Sequence, residues 1–311
     1  MKKLRFVLSL ITSDNDYQVE QARAAQELAR RLDVGLEVLF ADSDAVNQSQ
    51  QLLKIIQSKS DPAPDGILME PAGATGLPVV AQAAATAGIG WVVLSRDVDY
   101  IQGLRRLSSA PVFSVRTDHE QVGRIQGRQF AAILPHGGTV LYIQGPAGSS
   151  VSPQRLGGMF EVKPDNIRVK VLKAANWTEG GGSHAVSSWL RLSTAHDEQI
   201  HLVGCQNDSI ALGARKAFQE HTSGSERDLR LALPFTGVDG LPKTGQEWVR
   251  RGTLTATIVT PPESVPALEL LVASIQEGRQ PSECRLIEPR SFPDVEALAA
   301  RTPERASGAQ F

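Results

Sequence analysis

The chain has few cysteines, few aromatic residues and no excess of charge of either sign. Its 311 residues include two cysteines and 5% aromatic residues. Lysine and arginine total 32 and aspartate and glutamate total 34, so the formal net charge is -2. The absence of a basic stripe or tail argues against nucleic acid as the main partner. The cysteines, Cys205 and Cys284, lack metal-ligand spacing and are most simply buried free thiols or small core residues.

The sequence also lacks a hydrophobic run long enough to span a membrane. Its first eleven residues superficially resemble the start of a signal peptide, with two lysines before a short apolar run. The run is too short, Asp14 and Asp16 follow at once, and no small-residue cleavage site occurs. We therefore interpret residues 4–11 as a buried strand, and expect either a cytoplasmic chain or one from which an export signal was removed.

Motifs for phosphate binding, nucleophilic catalysis and metal binding are missing too. The glycine-rich stretches 145–150 and 180–182 lack the spacing of dinucleotide or P-loop motifs, and no G-x-S-x-G occurs. His196 and His201 are five apart, so they would not share a helix face. The sequence therefore predicts no catalytic residue, no metal and no cofactor. A Rossmann-type enzyme is therefore the least supported hypothesis for the function of this chain.

Strand and helix patterns alternate along most of the chain, whose composition is that of an ordinary globular protein at 41% hydrophobic residues. We predict strands at 4–11, 35–41, 66–69, 91–94, 113–115, 139–143, 168–172, 200–204, 231–235, 254–259 and 285–288. We predict helices at 17–32, 48–57, 78–87, 120–133, from 155, and at 183–192, 209–219, 245–251 and 264–276. Residues 99–111 are less regular and are predicted to be a surface excursion. The repetition implies parallel sheets covered by helices on both faces. Two series of similar length predict two similar lobes, and a cleft between lobes is a usual small-molecule site.

The most informative segment is 203–214, where a short apolar strand is followed by a polar turn and a helix of small residues. Asn207 and Asp208 stand where that buried strand ends, which is where open α/β sheets bind ligands. Polar or aromatic residues follow other predicted strands in the same way: Asn15, Tyr17, Ser95, Arg96, Asp239 and Thr260.

Each candidate has a structural alternative. Arg96 offers a forked donor to a hydroxyl or carboxylate, or is a surface arginine paired with Asp97 or Asp99. Trp177 stacks on a sugar ring or a cation, or packs in a core or hinge. Asp239 accepts two hydroxyl hydrogen bonds from a diol, or is a turn residue.

Five segments, taken in order, resemble the type I periplasmic sugar-binding family, most closely ribose-binding and related proteins. The resemblance extends to the ligand-binding core of lac-repressor-type regulators and covers residues 4–290. The segments are Thr117-Asp118 with Gly123-Arg124 and Gly127; Arg155-Leu156-Gly157-Gly158; 206–208 with 211–214; 237–240; and 252–258.

The resemblance implies an α/β fold of two Rossmann-like lobes with parallel sheets, joined by a three-crossover hinge that closes on a sugar. The implied lobes are 1–117 plus 261–287 and 118–260 plus 288–311. The implied function is capture of a sugar or polyol for an ABC permease or a receptor, without chemistry, in the periplasm or cell envelope and peripheral to the membrane at most. The alternative is a cytoplasmic carbohydrate-sensing core of a lac-repressor-type regulator without its DNA-binding domain.

Carried over by position, the ligand-binding residues of the family fall at Asn15, Tyr17, Arg96, Trp177, Asn207 and Asp239. Tyr17 and Trp177 take the stacking positions. The sequence departs from the family at four places. This chain has Gln18 where the family has a second stacking aromatic residue, and Ser95 where the family has an acid. It has Pro153 where the family has an arginine, and Thr260 where the family has a glutamine. Such changes in a buried site alter specificity sharply, so we expect a ligand other than ribose.

Overall fold

The computed structural model describes residues 3–60, 62–195 and 198–301. Its strands are β1 (Arg5–Leu10), β2 (Gly35–Phe40), β3 (Gly66–Met69), β4 (Gly90–Leu94), β5 (Val112–Thr117), β6 (Gly138–Gln144), β7 (Ile167–Lys173), β8 (Leu202–Cys205), β9 (Phe235–Thr236), β10 (Thr257–Val259), β11 (Cys284–Ile287) and β12 (Arg290–Phe292). Its α-helices are α1 (Asp16–Arg31), α2 (Ala45–Ile56), α3 (Pro78–Thr86), α4 (Ile101–Leu107), α5 (His119–Ile133), α6 (Val151–Val162), α7 (Glu179–Leu190), α8 (Asp208–His221), α9 (Gly224–Leu231), α10 (Gly245–Arg250), α11 (Ser264–Glu277) and α12 (Val295–Arg301). None of the described helices is long and apolar enough to cross a bilayer.

The chain folds as two compact units. Unit 1 comprises Met1–Asp118, Gly148–Val151 and Pro261–Glu288, and unit 2 comprises the remaining stretches, from His119 onward. The predicted fold class is confirmed: the fold is α/β, with one set of parallel strands in each unit.

Unit 1 contains a six-stranded parallel sheet in the order β11-β5-β4-β3-β1-β2. Strand alternation explains why helices cover both faces. Phe6 and Leu8 of β1 join the core cluster with Leu28 of α1 and Leu271 of α11, whereas Val7 joins the cluster on the other face. Since the sheet is parallel, the carboxyl ends of β1, β3, β4 and β5 meet along one edge.

Unit 2 contains a four-stranded parallel sheet in the order β7-β6-β8-β9 and an antiparallel pair, β10-β12. Two single bridges, Thr236 to Ala256 and Asp239 to Val259, connect the chain after β9 to the β10 region. The carboxyl ends of β8, β9 and β10 are thereby held side by side.

Helices α5 and α6, and likewise α7 and α8, pack backbone to backbone at glycines. A Cβ added at Gly123 would lie 2.1 Å from the Arg155 carbonyl oxygen, and one at Gly158 would lie 2.0 Å from that of Glu120. A Cβ at Gly213 would lie 1.9 Å from the Glu179 carbonyl oxygen. Only hydrogen fits at these positions, so the glycines set how closely the helices approach.

Several predicted elements were wrong. Residues 99–111 contain the helix α4, because Ile101 and Leu104 lie one turn apart and both are buried. The strand predicted at 231–235 is shorter and begins later: Leu231 ends the helix α9, which was not predicted, and only Phe235 belongs to a strand, β9. The elements β12 and α12 were not predicted, and Cys284 is exposed rather than buried because it lies on the edge strand β11.

Candidate functional site

The strand ends of unit 1 carry a set of buried polar side chains. Because β3 lies between β1 and β4, Glu70 after β3 stands between Asn15 after β1 and the pair Ser95–Arg96 after β4. All four side chains are buried. This edge therefore offers an amide, a hydroxyl, a carboxylate and a guanidinium group together.

Asn15 and Tyr17 occupy the start of α1. The Asn15 side-chain oxygen caps the helix by accepting from the N–H groups of Tyr17 at 2.9 Å and Gln18 at 3.2 Å. The Tyr17 hydroxyl donates to the Pro261 carbonyl at 3.3 Å. The cap therefore uses the amide oxygen of Asn15.

Gln18 positions an acid that the sequence analysis missed. Its Oε1 accepts from the Ile11 N–H at 2.9 Å, and its Nε2 donates to Glu70 Oε2 at 2.8 Å. Where the family has a stacking ring, this chain thus has an amide that holds a carboxylate. The signal for Glu70 was available, since it directly follows the buried strand β3.

Ser95 and Arg96 are both more than nine-tenths buried. Ser95 has a φ of +59°, a left-handed conformation that is uncommon for residues other than glycine and that recurs at functional sites. Its hydroxyl donates to Glu263 at 2.5 Å, while Arg96 donates to the Ser149 hydroxyl at 2.6 Å within unit 1.

Glu263, which was also missed, is fully buried immediately before α11. Besides Ser95, it accepts from the backbone N–H of Thr117 at 2.6 Å and from that residue's hydroxyl at 2.8 Å. Burial raises the pKa of Glu263 to about 7, helped by the charge of Glu70 and opposed by the three hydrogen bonds.

In unit 2, the turn after β8 is largely structural. Gln206 is fully buried and accepts from the Gly145 N–H at 2.9 Å while donating to the Ser152 carbonyl. Asp208 accepts from the Gly240 N–H at 2.8 Å and from the Thr257 hydroxyl at 2.7 Å. These two side chains fix the loops on either side of Asn207.

Asn207 caps α8 and contacts Trp177. Its Oδ1 accepts from the Ile210 N–H at 2.8 Å, and its Nδ2 donates to the Trp177 carbonyl at 2.9 Å. The structure therefore brings together two residues that the sequence analysis placed in one site.

The half-buried ring of Trp177 lies against the end of β6. A Cβ added at Gly145 would be 2.2 Å from its Cη2 atom, so only glycine permits this contact. The guanidinium carbon of Arg155 lies 5.7 Å from the ring centroid. Arg155 also donates to the Gln206 carbonyl, which ties the ring and the turn after β8 to α6. Pro153, two residues earlier, lies in the first turn of α6.

Asp239 and Thr260 stand at the ends of β9 and β10. The Asp239 carbonyl accepts from the Thr260 N–H at 3.1 Å, and Asp239 has a φ of +105°. The Thr260 hydroxyl is buried, with the residue 2% exposed, and it has no hydrogen-bond partner in the described part of the chain. A buried, unsatisfied hydroxyl costs about 1–3 kcal/mol, so Thr260 is suited to a ligand that supplies the missing bond.

The histidine pair weighed as a metal site falls partly outside the described residues, because His196 lies there. Among the residues that the structure describes, no group of three or more His, Cys, Asp or Glu side chains could hold a metal ion.

Asn207→Ala is expected to lower the free energy of unfolding of the ligand-free protein by about 1–2 kcal/mol, because it removes the cap of α8. Urea unfolding followed by circular dichroism measures this. Ser223→Ala is the matched control, since Ser223 precedes α9 without a side-chain cap hydrogen bond. Equal losses in the two variants would contradict the capping role.

These features define an α/β protein whose buried polar side chains lie at the carboxyl ends of its parallel strands. A family model of the periplasmic binding protein domain matches residues 6–278, and the chain belongs to that family. Members of the family are binding proteins.

Named relatives agree with this assignment. The chain is 25% identical over 280 residues to the D-allose-binding periplasmic protein of Escherichia coli K12, which covers 88% of this chain and 85% of the relative. It is 27% identical over 274 residues to the ribose import binding protein of Salmonella typhimurium, covering 88% and 84%. In fold it is similar to a periplasmic solute-binding protein of an ABC transporter from Actinobacillus succinogenes, solved with bound D-allose. That likeness has a TM-score of 0.80 at 22% identity, over 96% of this chain and all of the other.

Proposed function

We propose that this chain is a solute-binding protein that captures a sugar or polyol and presents it to an ABC importer or a receptor. The observation that carries the proposal is the buried Thr260 hydroxyl without a partner beside Asp239. A polyhydroxylated ligand supplies the bond that the Thr260 hydroxyl lacks, since its hydroxyls both donate and accept. The names of the two relatives, which bind D-allose and ribose, support the same class of ligand.

The proposed contacts follow from the chemistry at each strand end. Arg96 donates to ligand oxygens and Asp239 accepts from ligand hydroxyls. Tyr17 and Trp177 supply ring faces. The remaining polar contacts are assigned to Asn15, Ser95, Asn207 and Thr260, with Gln18 acting through Glu70. The predicted lobe boundaries and the capture of one ligand by both lobes stay predictions.

We propose binding without turnover, in the cell envelope, with no cofactor. The sensing core of a lac-repressor-type regulator was the alternative, and the named relatives, a periplasmic and an import protein, give it no support.

Because Ser95, Pro153 and Thr260 replace an acid, an arginine and a glutamine of the ribose-binding pattern, the proposed ligand is a sugar or polyol other than ribose.

A thermal-shift screen with pentoses, hexoses, inositols, linear polyols and amino sugars tests this function. A ligand at 100 times its Kd stabilises the folded state by about 2.7 kcal/mol, so a clear rise in Tm is expected for at least one compound. Asp239→Ala should abolish that rise, whereas Asp228→Ala, on the exposed face of α9, should retain it. The assignment of Asp239 is wrong if both variants respond like the wild type. No response to any compound would refute sugar binding.

A further inference from the structure

A chain of three buried polar side chains in unit 2 ends at the turn that carries Asn207. Gln126 of α5, Tyr142 of β6 and Gln206 after β8 are fully buried. A carbonyl only accepts, so the Gln126 Nε2 faces the Cys205 carbonyl, to which it donates at 2.8 Å. The Gln126 Oε1 therefore accepts, from the Tyr142 hydroxyl at 2.8 Å. Since a hydroxyl has one proton, the Tyr142 oxygen accepts from the Gln206 Nε2, at 3.1 Å.

These contacts fix which way the Gln206 amide faces. The Gln206 Nε2 also donates to the Ser152 carbonyl at 2.9 Å, and the Oε1 accepts from the Gly145 N–H at 2.9 Å. In a flipped amide the oxygen would face the Tyr142 oxygen and the Ser152 carbonyl, and the NH₂ group would face the Gly145 N–H. All three bonds would be lost, so the network holds one orientation.

The Gln206 amide reaches the ring of Trp177 through Gly145. The ring packs against that glycine so closely that an added Cβ would lie 2.2 Å from its Cη2 atom. The Gln206 carbonyl accepts from Arg155, whose guanidinium carbon lies 5.7 Å from the centroid of the same ring. The next residue, Asn207, donates to the Trp177 carbonyl at 2.9 Å. Gln206 thus joins the loop on which the ring rests to the turn that holds its backbone.

We propose that Gln206 is a positioning residue for ligand binding, which holds the ring of Trp177 in its binding arrangement before a ligand arrives. Tyr142 and Gln126 support it from behind. The inference rests on the proposed function, and it assigns a residue that acts through Trp177 and needs no contact with the ligand. A site that is already ordered loses less conformational freedom on binding, so this support contributes to affinity.

The expected effects follow from the number of bonds removed. Gln206→Met keeps the length of the side chain and removes all three amide bonds. If this variant adopts the binding arrangement about one tenth of the time, its Kd rises about tenfold. Tyr142→Phe removes only the bond from Nε2 to the hydroxyl, so a smaller rise, about threefold, is expected.

Isothermal titration calorimetry measures both effects, with the tightest binder among D-ribose, D-allose, D-xylose, D-galactose and myo-inositol as the probe. Tyr100→Phe in unit 1 is the matched control for loss of a tyrosine hydroxyl with two hydrogen bonds. The Tyr100 hydroxyl accepts from Trp91 at 3.3 Å and donates to the Gly76 carbonyl at 2.5 Å. This variant should be less stable than the wild type but bind with a Kd within about twofold of it.

Two readouts separate positioning from a general loss of stability. In a Trp177→Leu background, Gln206→Met should change Kd by less than about twofold, because the ring through which it acts is gone. Fluorine NMR of protein labelled with a fluorinated tryptophan reports on the ring itself. The chain has four tryptophans, and the Trp177 resonance is the one that Trp177→Leu removes. It should be single in the ligand-free wild type, shifted or doubled in Gln206→Met, and restored when the probe binds.

If Gln206→Met does not fold, Tyr142→Phe undergoes the same tests. Kd values within twofold of the wild type for both variants, or equal rises in Kd with and without the Trp177 ring, overturn the inference and leave sugar binding intact. An unchanged Trp177 resonance in the ligand-free variant overturns it as well. Binding of none of the probes and none of the screened compounds by the wild type refutes the proposed function, and this inference with it.

Discussion

Gly158→Ala is expected to lower the free energy of unfolding by about 3 kcal/mol or more. The added Cβ would lie 2.0 Å from the carbonyl oxygen of Glu120 in α5, and that oxygen belongs to the backbone. A rotamer change cannot relieve such a clash, so α5 and α6 must separate, and overpacking of this kind typically costs 1–3 kcal/mol or more. The gain in helix propensity, about 1 kcal/mol for glycine to alanine, is too small to offset it.

The neighbouring residue provides the control. Gly157 lies in the same turn of α6 but is exposed, and a Cβ there would meet nothing within 4 Å. Gly157→Ala should therefore stabilise the protein by roughly 0.5–1 kcal/mol. Urea unfolding of the two variants should give changes of opposite sign. A pair of values within about 0.5 kcal/mol of each other would show that the close helix approach is wrong.

The close packing of α6 matters for the site because this helix carries Arg155. That side chain donates to the Gln206 carbonyl and faces the ring of Trp177. Separation of α5 from α6 would move Arg155, and with it the support for the turn that holds Asn207. A stability defect at Gly158 is therefore expected to reduce ligand binding as well.

The strand-end residues were predictable because of where they stand in the chain. A buried apolar run that stops at a polar turn is visible locally, and in a parallel sheet such turns meet at one edge. Asn207, Asp239 and Arg96 were found by this argument. The same local signal is present at Glu70, which directly follows the buried strand β3 and was missed.

Glu263 could not be found in this way. It lies three residues beyond Thr260, and its hydrogen-bond donors Ser95 and Thr117 are 168 and 146 residues away in the chain. Its burial comes from tertiary structure rather than from local sequence.

Helix α9 was missed for a related reason. Arg230 is buried and its guanidinium packs over Trp189, so a charged residue occupies a core position that the apolar pattern does not mark.

Arg96→Ala is expected to weaken binding of the sugar found in the screen by at least about 30-fold. Arg96 is 8% exposed, and its guanidinium donates to Ser149 at 2.6 Å, so it is held in one orientation before ligand binds. Truncating one partner of a buried, charged hydrogen bond costs about 2–5 kcal/mol, and each 1.4 kcal/mol is tenfold in Kd. Most of the loss should appear in the rate of dissociation.

Arg96→Lys distinguishes the shape of the group from its charge. Lysine keeps the positive charge but loses the planar fork, so an intermediate Kd is expected if Arg96 contacts two ligand oxygens. Arg106→Ala, on the exposed face of α4, is the control for removal of an arginine from unit 1 and should bind like the wild type. Calorimetric titration of all three variants, well below the Tm of each, measures the effect. If Arg96→Ala binds within threefold of Arg106→Ala, Arg96 does not contact the ligand.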